Sequence, residues 1–277
     1  MFSFPAPIPY TALYHCGELT FNRPLIMGIA NITPDSFYDG GRYNEPMAAA
    51  AHIMALCEAG ADIIDIGAAS SRPGYTPISI TEELRRLLPV LELIAPEIPL
   101  PISVDTDKME VAQAALQAGA AIINDITGLK KDMACLAATC KAPLVLMHQG
   151  GGGLKIVETV ISFFREKMAD GQAEGMRQEQ FILDPGFGFG KDTKEDILLL
   201  RHLADLHILS RPLLIGLSNK RFIGALTKTK LHERYTANIV ASAWAMIQGA
   251  AIIRTHDPKA LREAAMMITE LLNYSAE

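Results

Sequence analysis

Eight short apolar runs punctuate the chain, each bounded by Pro or Gly and separated by longer stretches rich in Ala, Leu and Met. They cover residues 24–31, 61–68, 99–106, 120–127, 142–148, 180–186, 211–218 and 250–257. Within them apolar residues stand side by side, as in Ile63-Ile64, Leu144-Val145-Leu146 and Leu213-Leu214-Ile215. Such continuity marks strands covered on both faces, as parallel strands under helices are. Segments 45–59, 81–94, 108–118 and 194–206 read as helices, and Gly60 and Gly119 stand where a left-handed glycine commonly ends one. Repeated strand–helix units build a parallel sheet, and eight of them close into a barrel. An open doubly wound sheet is the competitor. It wants fewer strands and a Gly-rich phosphate turn after the first, and that turn is absent here.

The length of 277 residues suits an α/β fold made of one (β/α)8 TIM barrel with extended first and second βα loops. No linker divides the chain, so a single domain is expected, with a barrel core over 24–275 and residues 1–23 as an N-terminal extension. The glycine run 150–153 directly follows the fifth apolar run, a place that suits a mobile loop rather than a domain boundary. Hydrophobic residues at 49% and charged residues at 20% support a sizeable core and exclude a disordered tail. The net charge of −6 leaves no basic field for nucleic acid or an anionic membrane. Any cations meeting an anionic substrate must therefore be concentrated locally. None of Cys16, Cys57, Cys135 and Cys140 forms a C-x-x-C pair, and they read as idle reduced thiols. With no signal-like start and no membrane-length apolar run, the expectation is a cytoplasmic chain.

Each apolar run ends in something polar. In order these are Asn31, Asp65, Asp105-Thr106, Asn124-Asp125, His148, Asp184, Ser218 with Lys220 just beyond, and Arg254 with His256. In a β/α barrel these ends converge on one mouth, where active sites lie. One such residue is readily a helix cap, but eight of eight exceed what capping explains. Asp65, Asp105, Asn124 and Asp184 offer carboxylate and amide edges that pair with the donor face of a flat, amide-rich heterocycle. Lys220, Arg254 and His256 form a cationic corner in the region where barrels often hold phosphate, Arg254 as a fork and Lys220 as a point charge.

The run from Gly186 to Lys191 is not a P-loop, because Pro185 replaces its first glycine and Asp192 its magnesium-binding hydroxyl. It reads instead as a Gly-rich strand-to-helix turn with Phe packed beside a ring. His148 has no metal-ligand spacing around it, and Ser70 and Ser71 sit in no nucleophile elbow. The polar stretches 33–41 and 70–74 are longer than a simple βα turn and read as two lids.

Taken together, these motifs resemble the dihydropteroate synthases along nearly the whole chain. The resemblance rests on Met27-Gly28-Ile29-Ala30-Asn31-Ile32-Thr33-Pro34-Asp35-Ser36-Phe37, Asp65-Ile66-Gly67, Ser71-Arg72-Pro73-Gly74 and Ser103-Val104-Asp105-Thr106. It continues through Asn124-Asp125-Ile126, Leu146-Met147-His148, the segment from Asp184 to Lys191, Gly216-Leu217-Ser218 and Arg254-Thr255-His256-Asp257. It implies a transferase that uses Mg2+ to condense 6-hydroxymethyl-7,8-dihydropterin diphosphate with 4-aminobenzoate, giving 7,8-dihydropteroate and diphosphate by a dissociative route. Carried over to these positions, Asp105, Asn124, Asp184 and Lys220 hold the pterin, with Met147, Phe189 and Arg254 lining it. Asn31, Arg254 and His256 take the diphosphate, and Asn31 reaches the metal. Ser71, Arg72 and Pro73 form the aminobenzoate pocket with Lys220, and Asp105, Lys220 and Asp35 are the catalytic set. Family members are commonly homodimers.

Several positions depart from the family pattern, among them Ser71, which replaces the common Thr while keeping the hydroxyl. Ala69 stands where a Glu is usual, Asn219 where an Arg is usual, and Arg221 where a Ser is often found. They bear on the aminobenzoate pocket and leave the pterin positions intact. Two other readings keep the pterin-binding face. A folate-dependent corrinoid methyltransferase would need neither residues 33–37 nor the Arg254/His256 grip, and a non-catalytic pterin-binding paralogue draws its only support from Ala69 and Asn219.

Overall fold

The computed structural model describes residues 15–16, 19–32, 45–69 and 77–273. A short hairpin of β1 (His15–Cys16) and β2 (Leu19–Thr20) comes first, then β3 (Leu25–Asn31), α1 (Glu45–Glu58), β4 (Ile63–Gly67) and α2 (Ile80–Ile94). The alternation continues with β5 (Ile102–Asp105), α3 (Met109–Gln117), β6 (Ile122–Asp125), α4 (Lys131–Cys140), β7 (Leu144–Met147) and α5 (Ile156–Ala173). It ends with β8 (Phe181–Asp184), α6 (Thr193–Arg201), β9 (Leu214–Ile215), α7 (Arg221–Thr227), α8 (Tyr235–Ile247), β10 (Ile252–Thr255) and α9 (Pro258–Asn273).

Eight parallel strands run in the order β8-β7-β6-β5-β4-β3-β10-β9. The circle closes where Leu183 bridges Leu213 in parallel and Leu183 N donates to Pro212 O at 2.9 Å. The expected (β/α)8 TIM barrel is therefore the observed fold. Gly60 and Gly119 adopt φ of +90° and +103° just beyond α1 and α3, as helix ends of that type require. The seventh apolar run is long in sequence but only Leu214–Ile215 pair as a strand. Pro212 has no N–H to give the ladder and contributes only its carbonyl at the seam.

Strand period decides what faces where. Ile64, Ile66 and Val104 pack outward with α1 to α3 residues such as Ile53, Leu91 and Val111. Ile123, Leu144, Leu146, Leu183, Ile215 and Ile253 pack outward with α4 to α9. Their neighbours Met27, Ile63, Ile122, Val145, Ile182, Leu214 and Ile252 turn inward and meet Cys16, Leu19 and Phe21 from the hairpin region. The segment around β1 and β2 thus plugs the N-terminal end of the barrel with apolar side chains. Two residues further along β4, β6, β7, β8 and β10, on the same inward face, come Asp65, Asn124, Met147, Asp184 and Arg254. An apolar floor gives way to a polar cup within one strand repeat. The four cysteines are unpaired, and no helix among the described residues is long and apolar enough to cross a membrane.

Candidate active site

The cup is organised around Arg254 on β10. Its Nε donates to Asp65 Oδ2 at 2.6 Å and its Nη2 to Asp105 Oδ2 at 3.0 Å. Asn124 Nδ2 donates to both Asp65 oxygens at 3.2 Å. Asp65 is fully buried and Arg254 only about one-fifth exposed (21%), so these charges are paired largely out of water. Asp105 shares its single guanidinium with Asp65. Burial pushes the Asp105 carboxyl up to about 7; Arg254 opposes the shift, and the nearby Asp65 charge adds to it. The Asp184 carboxyl is also raised by burial, against the pull of its bond from Gly186 N (2.8 Å) and the charges of Lys220, Arg254 and Lys191.

A carboxylate held above its ordinary range costs stability when ionised. With the folded pKa above the unfolded one, the folded state binds the extra proton, so stability falls as pH rises through about 7. Asp105→Asn is therefore expected to be no less stable than the parent at pH 8 in urea titration, while losing turnover. A variant clearly less stable at pH 8 would show that the ionised carboxylate stabilises the fold.

Position in the sheet explains why Asn31 and Asp105 approach each other. β4 lies between β3 and β5 and ends at Gly67, whose Cα pairs with both Asn31 and Asp105. A methyl on Gly67 would lie 3.5 Å from Asp105 Cβ and 3.6 Å from Asn31 Oδ1, filling the space between them. The neighbouring acid Asp125 behaves differently from Asn124. It turns out of the cup and accepts from Thr127 N (2.7 Å), Thr127 Oγ1 (2.6 Å) and Leu129 N (3.1 Å), holding the loop before α4.

The rim carries the cations. Lys220 caps α7 and places Nζ 4.2 Å from the centre of the Phe189 ring. Burial lowers its pKa to about 8, opposed by Asp184, so the ammonium stays charged near neutrality. Asn219 adopts φ +63°, a left-handed conformation that Asn tolerates better than most side chains. Its departure from the family pattern thus fits the local backbone. Arg234, which the sequence reading left out, donates from Nη1 to the carbonyls of Asn219 (3.4 Å) and Lys220 (3.3 Å). Its guanidinium packs flat against Gly224, where a side chain would collide with it. Ser218 Oγ and His256 Nδ1 are hydrogen-bonded at 2.9 Å, joining the ends of two strand units as expected of one mouth.

Among the sequence-based site residues, Asn31, Asp105, Asn124, Met147, Asp184, Phe189, Lys220, Arg254 and His256 all stand at the C-terminal strand ends or in the loops directly after them. Asp35, Ser71, Arg72 and Pro73, with both expected lids, lie outside the described residues. Asp65, expected among the edges that meet a flat heterocycle, is instead the buried partner of Arg254 and Asn124. The expectation of a mobile glycine loop at 150–153 is not met. Glu195 Oε1 accepts from Gly152 N (2.7 Å) and Gly153 N (2.6 Å), and Gly150 N donates to Phe189 O (3.0 Å). A run of glycines lowers the steric barriers to motion, but here these bonds hold it down.

Comparison with known proteins agrees with this geometry. A family model described as pterin binding enzyme matches residues 27–256. The dihydropteroate synthase of Escherichia coli K12 is 40% identical over 266 residues, covering 92% of this chain and 94% of its own. A structure of Xanthomonas albilineans dihydropteroate synthase with 4-aminobenzoic acid superposes with a TM-score of 0.89 at 40% identity, covering 93% of this chain and 96% of that one. The same organism's enzyme in complex with 7,8-dihydropteroate gives 0.86 at 39% identity, with 93% and 97% covered. With a barrel mouth of matching polar chemistry and relatives of this closeness over nearly its full length, the chain belongs to the dihydropteroate synthase family of pterin-binding enzymes.

Proposed function

We propose that this chain, working as one domain, joins 6-hydroxymethyl-7,8-dihydropterin diphosphate to 4-aminobenzoate, releasing diphosphate and forming 7,8-dihydropteroate. The observation that carries the reading is the buried polar cup of Asp105, Asn124, Asp184 and Arg254, roofed by Lys220 over Phe189. The complexes of the Xanthomonas enzyme with 4-aminobenzoic acid and with 7,8-dihydropteroate support it.

Asp184 and Asn124 take the donor and acceptor edge of the pterin, whose polar groups would otherwise be buried without partners. Met147 and Phe189 line its faces, and Lys220 stands between pterin and arylamine. Asn31, Arg254 and His256 receive the diphosphate. Its departure breaks the methylene C–O bond and takes the electron pair with it, so positive charge grows on the pterin methylene. Asp105, and Asp35 from the loop after β3, offset that charge. The lone pair of the arylamine then forms the C–N bond, in a pocket made by Ser71, Arg72, Pro73 and Lys220, and the nitrogen gives its surplus proton to the released diphosphate. Closure of the two loops keeps water from the cation.

A magnesium ion fits the donors present in one way. No cluster of three or more His, Cys, Asp or Glu side chains capable of holding a metal occurs among the described residues. Asn31 Oδ1 lies beside the Gly67 gap at the mouth. Mg2+ keeps several waters and usually binds through few protein oxygens together with substrate phosphates, so this set suits an ion arriving with the diphosphate. When bound, it supplies charge neutralisation on the leaving group.

A homodimer in a reducing cytoplasm completes the reading. Val240 on α8 and Met266, Met267 and Leu271 on α9 are exposed apolar residues that a second copy would cover. The test is an assay of diphosphate release by purified protein. Release is expected only with both substrates and Mg2+ present; retained pterin binding without release would overturn the enzyme reading in favour of a binding paralogue.

A further inference from the structure

We propose that Lys191 is a positioning residue for the pterin floor, its buried ammonium tying the turn after Asp184 to the end of β7. This deepens the site reading above and rests on Asp184 as the pterin-binding carboxylate. Lys191 closes the glycine-rich run that is no P-loop, and only 4% of it is exposed. An ammonium has three donors and no acceptor. All three are satisfied: Gly186 O at 2.9 Å, His148 Nδ1 at 3.0 Å and His148 O at 3.4 Å. From the segment leading to α6, one side chain thus reaches both the residue after β7 and the residue after Pro185.

The surrounding backbone makes this a lock rather than an incidental contact. Gly186, Gly188 and Gly190 all have positive φ, and a side chain on Gly190 would meet the Gly150 backbone at 2.8–2.9 Å. His148 N donates to Asp184 O at 2.9 Å, and Gly188 N to Asp196 Oδ1 at 2.9 Å. The loops after β7 and β8 are therefore interlocked, with Lys191 at their junction. Asp184 begins this turn and Phe189 lies within it, so the lock sets the height of the carboxylate and the tilt of the ring beneath Lys220. The positive charge of Lys191 also favours the ionised form of the buried Asp184 carboxyl.

The geometry makes a second, independent statement. Because the ammonium can only donate, His148 Nδ1 must accept and the imidazole proton must sit on Nε2. Burial, with the Lys191 charge, lowers the His148 pKa to about 4.

The experiment uses the full chain, with nitrogen-15 NMR of the histidines and calorimetry of the pterin diphosphate as probe. In the parent protein the His148 ring is expected to stay neutral and protonated on Nε2 from pH 6 to 7, where Lys191, its pKa lowered by burial to about 8, is still charged. In Lys191→Met the His148 pKa should rise while burial still holds it below its ordinary value, and pterin diphosphate affinity should fall about tenfold or more. Asp184→Asn, measured alongside, should also weaken the pterin at least about tenfold. A parent His148 that titrates near its ordinary value, or carries its proton on Nδ1, would overturn the lock without any variant needing to fold. Unchanged pterin affinity in Lys191→Met beside weakened binding in Asp184→Asn would overturn the positioning role alone. Unchanged binding in both would remove the site reading on which it rests.

Discussion

Replacing Arg254 with alanine is expected to lower the unfolding free energy by about 3–5 kcal/mol at neutral pH, because one partner of a buried ion pair is removed and the other stays. The guanidinium is shared by Asp65, which has no exposed side-chain surface, and Asp105, with 11%. Without it, two carboxylates face each other in a closed cup. Diphosphate affinity should fall as well, by about 2–5 kcal/mol, if the lost pair is desolvated in the complex. The stability loss carries a pH signature. Arg254 is the main group holding the Asp105 carboxyl down against burial, so its removal raises that pKa further. The folded state then binds protons that the unfolded chain does not until about pH 3.9. Stability should recover as the pH falls from 8 to 5. Urea denaturation across that range checks it, and a loss below about 1 kcal/mol, the usual ceiling for an exposed pair, would show that the two acids do not depend on the arginine.

Gly186→Ala should be the most damaging single-atom addition in the site. The residue has φ +68°, and a Cβ there would run into the carbonyl oxygen of His148. That obstacle is backbone, so no rotamer change relieves it. Overpacking costs about 1–3 kcal/mol, and the left-handed conformation about 1–2 kcal/mol for a non-glycine residue. The damage reaches the ligand too, because His148 N is bonded to Asp184 O. Gly153→Ala is the control. It shares the positive φ, +58°, but has nothing within 4 Å of the added carbon. Thermal unfolding should separate the two clearly, and only Gly186→Ala should weaken pterin binding. Equal shifts in both would mean that backbone conformation alone, without the His148 clash, governs this turn.

Much of the barrel was legible because buried parallel strands write a local signal. All eight apolar runs contain a strand, since each strand is covered on both faces and so needs no distant partner to be recognised. The polar strand ends were legible for the same reason. What they do was less so. Asn124 and Asp125 are equivalent in composition, yet Asn124 reaches Asp65 and Asp125 braces a turn. Counting two residues on from the inward Ile122 separates them, but only once the inward face is known. The roles of Arg234 and Lys191 were not legible, because their partners Asn219 and His148 lie 15 and 43 positions away. The glycines at 150–153 misled by composition: Glu195, more than forty residues later, pins them. β1 and β2, two residues each, are too short to show any period.

Because floor and cup alternate every two residues, the barrel strands respond very differently to two kinds of genetic change. Exchanging one side chain for another alters a single point of the wall. Adding one residue between Ile182 and Leu183 would rotate the rest of β8 by half a turn, sending Leu183 into the polar layer and Asp184 toward the helices. The strands that carry the chemistry can thus vary in letter but not in count, and descent with change in length is confined to the loops above them.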